Sequence, residues 1–281
     1  MQISHRRAVI YLIIATIIWS TSGLFIKLSN WHPLGLNAAR SLLAAGVVWL
    51  SAGRPKIVLT KPLLIGASAF ALTTITFTVA NRLTTTANAI FLQYSAPVWV
   101  AIFSIWLLKE YPNQREWLMM GLIFLGMGLF FQADLSSTGV WGNLISVLSG
   151  ICLATMLISL RAQKDSGAAE TLIMGNLIAF AVGVVWIPNN DINLREGAII
   201  FYLGVVQLGL PFILLTLAIK ALTAVETVMI QTLEPILSPI WVALIIAEFP
   251  TPIALVGALL VLTAVLLNVF QSEAGKSELT S

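Results

Sequence analysis

Ten apolar stretches, each close to the length of a membrane-crossing helix, follow one another with only short breaks between them. They cover residues 8–29, 34–52, 61–80, 84–108, 115–132, 140–160, 169–187, 197–219, 223–247 and 251–271. A helix needs about 20 apolar residues to cross the hydrocarbon core. The chain has 281 residues, of which 58% are hydrophobic and only 10% charged. A soluble domain carries roughly 25% charged residues, because water-facing surface needs them. The pattern therefore predicts an all-α membrane protein with ten transmembrane helices. The first stretch runs past the length of a signal-peptide core, and no A-x-A cleavage pattern follows it, so it reads as a span. The breaks carry turn chemistry, as in Gly53-Arg54-Pro55, Tyr111-Pro112-Asn113 and Pro188-Asn189-Asn190. Connections this short make each helix pack antiparallel to the one before.

The net charge of +3 does not point to nucleic acid, because the cations lie between apolar runs and form no single stripe. They do sort by side. With the N-terminus in the cytoplasm, inner segments hold Arg6, Arg7, Arg54, Lys56, Lys61, Lys109, Arg115, Arg161, Lys164, Lys220 and Lys276. Outer segments hold Lys27, Arg82 and Arg195, and Arg40 falls inside a span. This bias supports ten spans, with both ends on the cytoplasmic side of a bacterial-type inner membrane. The single cysteine, Cys152, rules out an internal disulfide and any C-x-x-C motif.

Two stretches match each other. Leu83-Thr84 pairs with Leu222-Thr223, Ala96-Pro97 with Glu234-Pro235, and Glu110-Tyr111-Pro112 with Glu248-Phe249-Pro250. They belong to the fourth and ninth stretches, five apart. An odd offset makes the two copies cross the membrane in opposite directions, as in the inverted repeats that underlie alternating access. The expected units are residues 1–135 and 136–271, each a five-helix repeat, followed by a disordered cytoplasmic tail over 272–281.

The opening Trp19-Ser20-Thr21-Ser22-Gly23-Leu24-Phe25-Ile26-Lys27, the Glu-aromatic-Pro ends and the position of Arg40 resemble the EamA-type branch of the drug/metabolite transporter superfamily. The likeness covers roughly residues 8–270. It implies a secondary transporter, an exporter of small metabolites such as amino acids, with a central cavity built from both halves.

Polar residues within a span are costly and tend to face the bundle interior or a wet cavity. Thr227, Gln231, Glu234 and Ser238 are spaced by four, three and four, and so share one helix face. Pro235 follows Glu234 and frees a carbonyl one turn earlier. Either Glu234 binds a substrate amine or a coupling proton, or it is a protonated acid bonded to a neighbouring helix. In the fourth span Asn88, Phe91, Ser95 and Trp99 form the matching stripe, with Gln93 and Tyr94 off that face. Asn88 has an alternative as an interhelical hydrogen-bonding residue, worth about 0.6 kcal/mol. Trp19 and Ser22 are either cavity walls or part of small-residue packing around Gly23. Phe77 is a bulky wall candidate beside threonines that can bond their own helix. Arg40 either meets an acid or snorkels outward. Cys152 and Thr155 are weaker cavity candidates.

Other features read as structural. Thr223-Ala224-Val225-Glu226 is a capping box. Glu110 and Glu248 end helices where the dipole disfavours an anion, so each is expected to have a fixed partner such as an adjacent helix N-terminus. Gly121, Gly126 and Gly128 suit close packing, within the chain or in a homodimer. A membrane-embedded lipid-modifying enzyme would need clustered His, Asp or Glu. The chain has only His5 and His32 and no H-E-x-x-H or G-x-S-x-G string. A non-transporting receptor would not need polar stripes at mid-membrane. The expected partners are a small-molecule substrate, a coupling proton and the lipid bilayer, with no cofactor, metal or catalytic residue.

Overall fold

The computed structural model describes residues 3–84, 86–132, 139–188, 193–246 and 251–278, and every regular element among them is helical. The elements are α1 (His5–Trp19), α2 (Ser22–Leu28), α3 (Pro33–Ser51), α4 (Lys61–Leu83), α5 (Thr86–Gln93), α6 (Ala96–Phe103) and α7 (Gln114–Phe131). They continue as α8 (Val140–Ala162), α9 (Ala168–Gly183), α10 (Leu194–Phe201), α11 (Leu210–Ala218), α12 (Ala224–Gln231), α13 (Leu233–Ile246) and α14 (Pro252–Glu278). Wide π turns follow α6, over Ser104–Leu108, and α10, over Tyr202–Gly209. The second of these precedes Pro211, which has no N–H to continue the helical ladder.

Among the described residues, six helical stretches are long and apolar enough to cross a membrane: Pro33–Ser51, Lys61–Ala80, Asn88–Leu108, Val140–Ala162, Ala168–Trp186 and Leu194–Ala218. The first expected span is split between α1 and α2, and the ninth between α12 and α13. Helical backbone continues through Glu278, beyond the end expected at Gln271. The outside of the bundle is greasy. Ile10, Ile14 and Ile17 share one exposed face of α1, and Leu255, Leu259, Leu262 and Leu266 are exposed along α14. Trp106, Tyr111, Trp141 and Trp186 stand exposed near helix ends, where amphipathic rings suit a membrane interface.

The packing repeats itself when the two halves are exchanged. The α4 helix packs on α8 as α11 packs on α1. It packs on α9 as the π turn before α11 packs on α3. The α5 and α6 helices lie on α8 as α12 and α13 lie on α1. Two contacts map onto themselves: α3 with α9 and α7 with α14. This is the pattern of two copies of one unit around a pseudo-twofold axis.

At one end of the bundle a polar network joins the halves. The αL backbone of Lys109, with φ of 56°, turns the chain so that Glu110 reaches Arg161 Nε at 2.8 Å. The second oxygen of Glu110 accepts from the backbone N–H of Ala224, at the start of α12, at 3.3 Å. That is the helix N-terminus partner its position requires. Arg161 also donates to the Ile219 carbonyl at 2.7 Å, just past α11. Glu226 closes the expected capping box with Thr223 and meets His5 Nε2 at 3.0 Å. Glu248 lies outside the described residues, as do the side chains of Lys27 and Arg82.

Gly126 is used inside the chain. A Cβ there would stand 2.8 Å from the Gly257 carbonyl oxygen, so α7 and α14 touch backbone to backbone. Gly121 and Gly128 have open space instead. Gly126→Leu is expected to wedge α7 from α14 and cost about 1–3 kcal/mol. The readout is a lowered melting temperature in detergent. A Cβ at Gly121 meets nothing within 4 Å, and Gly121→Leu should melt like the wild type. Equal melting of both variants would refute the backbone contact.

Candidate functional site

Two prolines shape the matched helices. Pro97 and Pro235 lack an N–H, which leaves the carbonyls of Gln93 and Gln231 without their helical donors. In each copy the chain tightens just before the proline. The Ser95 N–H bonds Leu92 O at 3.1 Å, and the Thr232 N–H bonds Met229 O at 3.2 Å. The helices restart as α6 at Ala96 and as α13 at Leu233. Gly150 of α8 is pressed against the first break, and a Cβ there would lie 2.6 Å from the Gln93 carbonyl oxygen. The first rod breaks as well, between Trp19 and Ser22.

Polar side chains from both halves gather at these breaks. The Tyr94 hydroxyl donates to Glu234 Oε2 at 2.9 Å, joining the first break to the first turn of α13. Two turns further along α13, Trp241 Nε1 donates to Ser20 Oγ at 2.7 Å, at the break between α1 and α2. Arg40 of α3 donates through Nε and Nη2 to Asn37 Oδ1, at 3.1 and 2.9 Å. Asn37 in turn donates to Thr74 Oγ1 of α4 at 3.4 Å. Arg40 is thus held within the bundle and does not snorkel, and its charge and that of Glu234 act on each other.

The expected site residues divide. Glu234 and Ser238 are half-buried and one turn apart on α13. Phe77, Phe91 and Ser95 are also half-buried, and Ser95 accepts from Trp99 Nε1 at 3.2 Å. Ser22 is half-buried at the start of α2. Thr227 and Gln231 are buried on α12, below the break, and the Thr227 hydroxyl bonds the Thr223 carbonyl. Asn88 is buried and donates to Asn143 of α8 at 3.0 Å, the interhelical alternative. Trp19 is buried with its ring edge-on to Phe212 at 5.9 Å. Thr73, Thr74, Thr76 and Thr78 each bond a carbonyl of their own helix, as expected. Cys152 and Thr155 border a hollow between α4 and α8 with Leu64, Ile65 and Leu72, all three of which are exposed.

Sequence reasoning missed Tyr94, Asn37 and Trp241. Tyr94 was expected off the polar face because the fourth span was read as one continuous helix. Tyr94 does lie off the face of Asn88: its N–H still bonds the Ile90 carbonyl at 3.0 Å, and this other face is the one that meets Glu234. The signal available was Pro97, whose freed carbonyl marks the break beside Tyr94.

The two copies also correspond to a known unit. The EamA-like transporter family model matches residues 6–132 and 140–270, so the chain belongs to the EamA-like transporter family and is a multi-pass membrane protein. No curated protein matches the sequence. A protein solved by crystallography shares the fold with a TM-score of 0.80 at 16% identity, covering 93% of this chain and 96% of its own.

A hydrogen bond in a membrane bundle averages about 0.6 kcal/mol and reaches roughly 1.7. An ionised acceptor would place the Tyr94–Glu234 bond toward the upper value. A double-mutant cycle of Tyr94→Phe and Glu234→Gln, followed by unfolding in detergent, is expected to give a coupling of about 1–1.7 kcal/mol. Strict additivity would remove the bond from the stability of the fold.

Proposed function

We propose that the chain is a secondary transporter that exports small metabolites such as amino acids by alternating access. In this reading ten spans form two inverted five-helix halves, with both termini cytoplasmic at a bacterial-type inner membrane. The observation that carries the reading is the Tyr94–Glu234 hydrogen bond, which crosses from the first repeat to the second where both matched helices break. Broken helices at the interface of inverted repeats are where secondary transporters hold substrate and coupling ions. A carboxylate kept inside an apolar bundle is expensive, and a binding role accounts for its presence. Ser22, Phe77, Phe91, Ser95 and Ser238 form the half-buried walls, and Glu234 takes the ammonium of the cargo or a coupling proton. Trp19, Asn88, Thr227 and Gln231 frame that space from the buried packing around it.

The sorting of lysine and arginine supports the orientation. The network of His5, Glu110, Arg161 and Glu226 then lies at the cytoplasmic end and holds it shut, which suits a state open to the other side. The open faces of Gly121 and Gly128 are available to a second copy or to lipid.

Proteoliposomes carrying the purified chain are expected to show saturable flux of at least one metabolite from a panel that includes the amino acids. Intact protein that moves nothing would overturn the reading. Glu234→Gln is expected to slow that flux roughly tenfold, equivalent to about 1.4 kcal/mol in the barrier. Wild-type rates at every pH would remove Glu234 from the mechanism.

A further inference from the structure

Arg40 on α3 and Glu234 on α13 are a basic and an acidic group that interact electrostatically without forming an ion pair. Among the described residues the ion pairs are His5–Glu226 and Glu110–Arg161, and Arg40 with Glu234 is not one of them. Yet the two charges lie close enough to act on each other. Each has one edge committed to protein and one open. Asn37 Oδ1 occupies Nε and one hydrogen of Nη2 on Arg40, which leaves the Nη1–Nη2 edge of the fork uncommitted. Among the described residues that edge has no protein partner, and neither Nη1 nor Nη2 is a sealed, unsatisfied atom. The carboxylate of Glu234 is similar. Tyr94 takes Oε2, while Oε1 has no protein donor among the described residues and is not sealed off either. Both residues are half-buried, so the open edges face accessible space within the bundle.

This arrangement differs from a structural ion pair. Two charges present only to stabilise each other gain most by closing to contact, because Coulomb attraction in low dielectric rises steeply at short range. Here each side chain is instead held by a neutral neighbour: Asn37, itself bonded to Thr74, for Arg40, and Tyr94 for Glu234. The open Nη1–Nη2 edge of an arginine matches the two oxygens of a carboxylate. The open oxygen of a carboxylate matches an ammonium.

We propose that Arg40 is the carboxylate half of a zwitterion site whose ammonium half is Glu234, so that the cargo is a small amino acid held across the gap by both ends. This assignment rests on the transporter reading above and names the substrate class within it. A zwitterion brings no net charge into the bundle and leaves neither protein charge unpaired while it is bound.

The test uses the purified full chain in lipid nanodiscs and the twenty common amino acids, with binding read by thermal shift and by competition against a radiolabelled binder. For each amino acid that binds, three matched derivatives are compared: the amide and the decarboxylated amine, which lack the carboxylate, and the deaminated acid, which lacks the ammonium. The wild type is expected to prefer the amino acid over each derivative by roughly tenfold or more. Arg40→Gln should lose the preference over the amide and amine but keep the preference over the deaminated acid. Glu234→Gln should do the reverse. This crossed pattern is one that general unfolding would not produce. Where Arg40→Gln fails to fold, Arg40→Lys, which keeps the charge without the fork, should narrow the preference over the amide. Wild-type binding of an amine or amide as tight as that of the amino acid overturns the assignment, as does Arg40→Gln with its selectivity intact. Absence of amino-acid binding alongside saturable flux of another metabolite overturns the zwitterion assignment and spares the transporter reading. Absence of any flux removes both.

Discussion

Within hydrocarbon no water waits for an N–H or C=O that a helix gives up, and each one left over costs several kcal/mol. A chain that breaks its helices in such a medium must place the breaks where protein can absorb them. Here the breaks at Trp19–Ser22, Tyr94–Ser95 and Thr232 are linked to one another by side chains. Ser20 at the first break takes the indole N–H of Trp241, and Tyr94 at the second reaches Glu234 beside the third. Gly150 lets α8 approach the carbonyl that Pro97 frees. The polar interior follows from this constraint. Once backbone groups are released, polar side chains beside them cost less there than anywhere else in the bundle.

The same reasoning accounts for which features were legible in the sequence. Helical spans show through because a membrane demands length and apolarity, and six stretches among the described residues satisfy both strictly. The repeat shows through because the same proline-centred break is written twice. The capping box at Thr223 and the buried partner of Glu110 follow from orphaned groups at helix termini, a local matter. What did not show through depends on phase across a break. A helical wheel carried from Asn88 to Trp99 assumes about 100° per residue throughout. The interruption at Tyr94–Ser95 spoils that sum for Ser95 and Trp99, while before it Asn88 turns to Asn143 and Tyr94, on another face of the same rod, meets Glu234. The stripe on the ninth span divides at Thr232 for the same reason, leaving Thr227 and Gln231 buried and Glu234 and Ser238 half-buried. Arg40 was ambiguous because depth alone does not decide direction. Asn37, one turn earlier on the same face, does decide it.

The symmetry of the packing and the asymmetry of the chemistry belong together. Contacts between helices survive exchange of the halves, down to the self-paired contacts of α3 with α9 and α7 with α14. The charged residues do not. Where the second copy has Glu234 before its proline, the first has Ala96. A scaffold with near-equal halves can adopt two related packings at similar free energy, because exchanging the roles of the halves recreates much the same set of contacts. A site built symmetrically on that axis would place two carboxylates together, and like charges in low dielectric repel. One carboxylate from one copy, with an arginine supplied by α3, avoids that repulsion. It also gives the proposed site a direction, cation on one side and anion on the other, so that a ligand with two unlike ends would have one favoured orientation on a frame that itself has none.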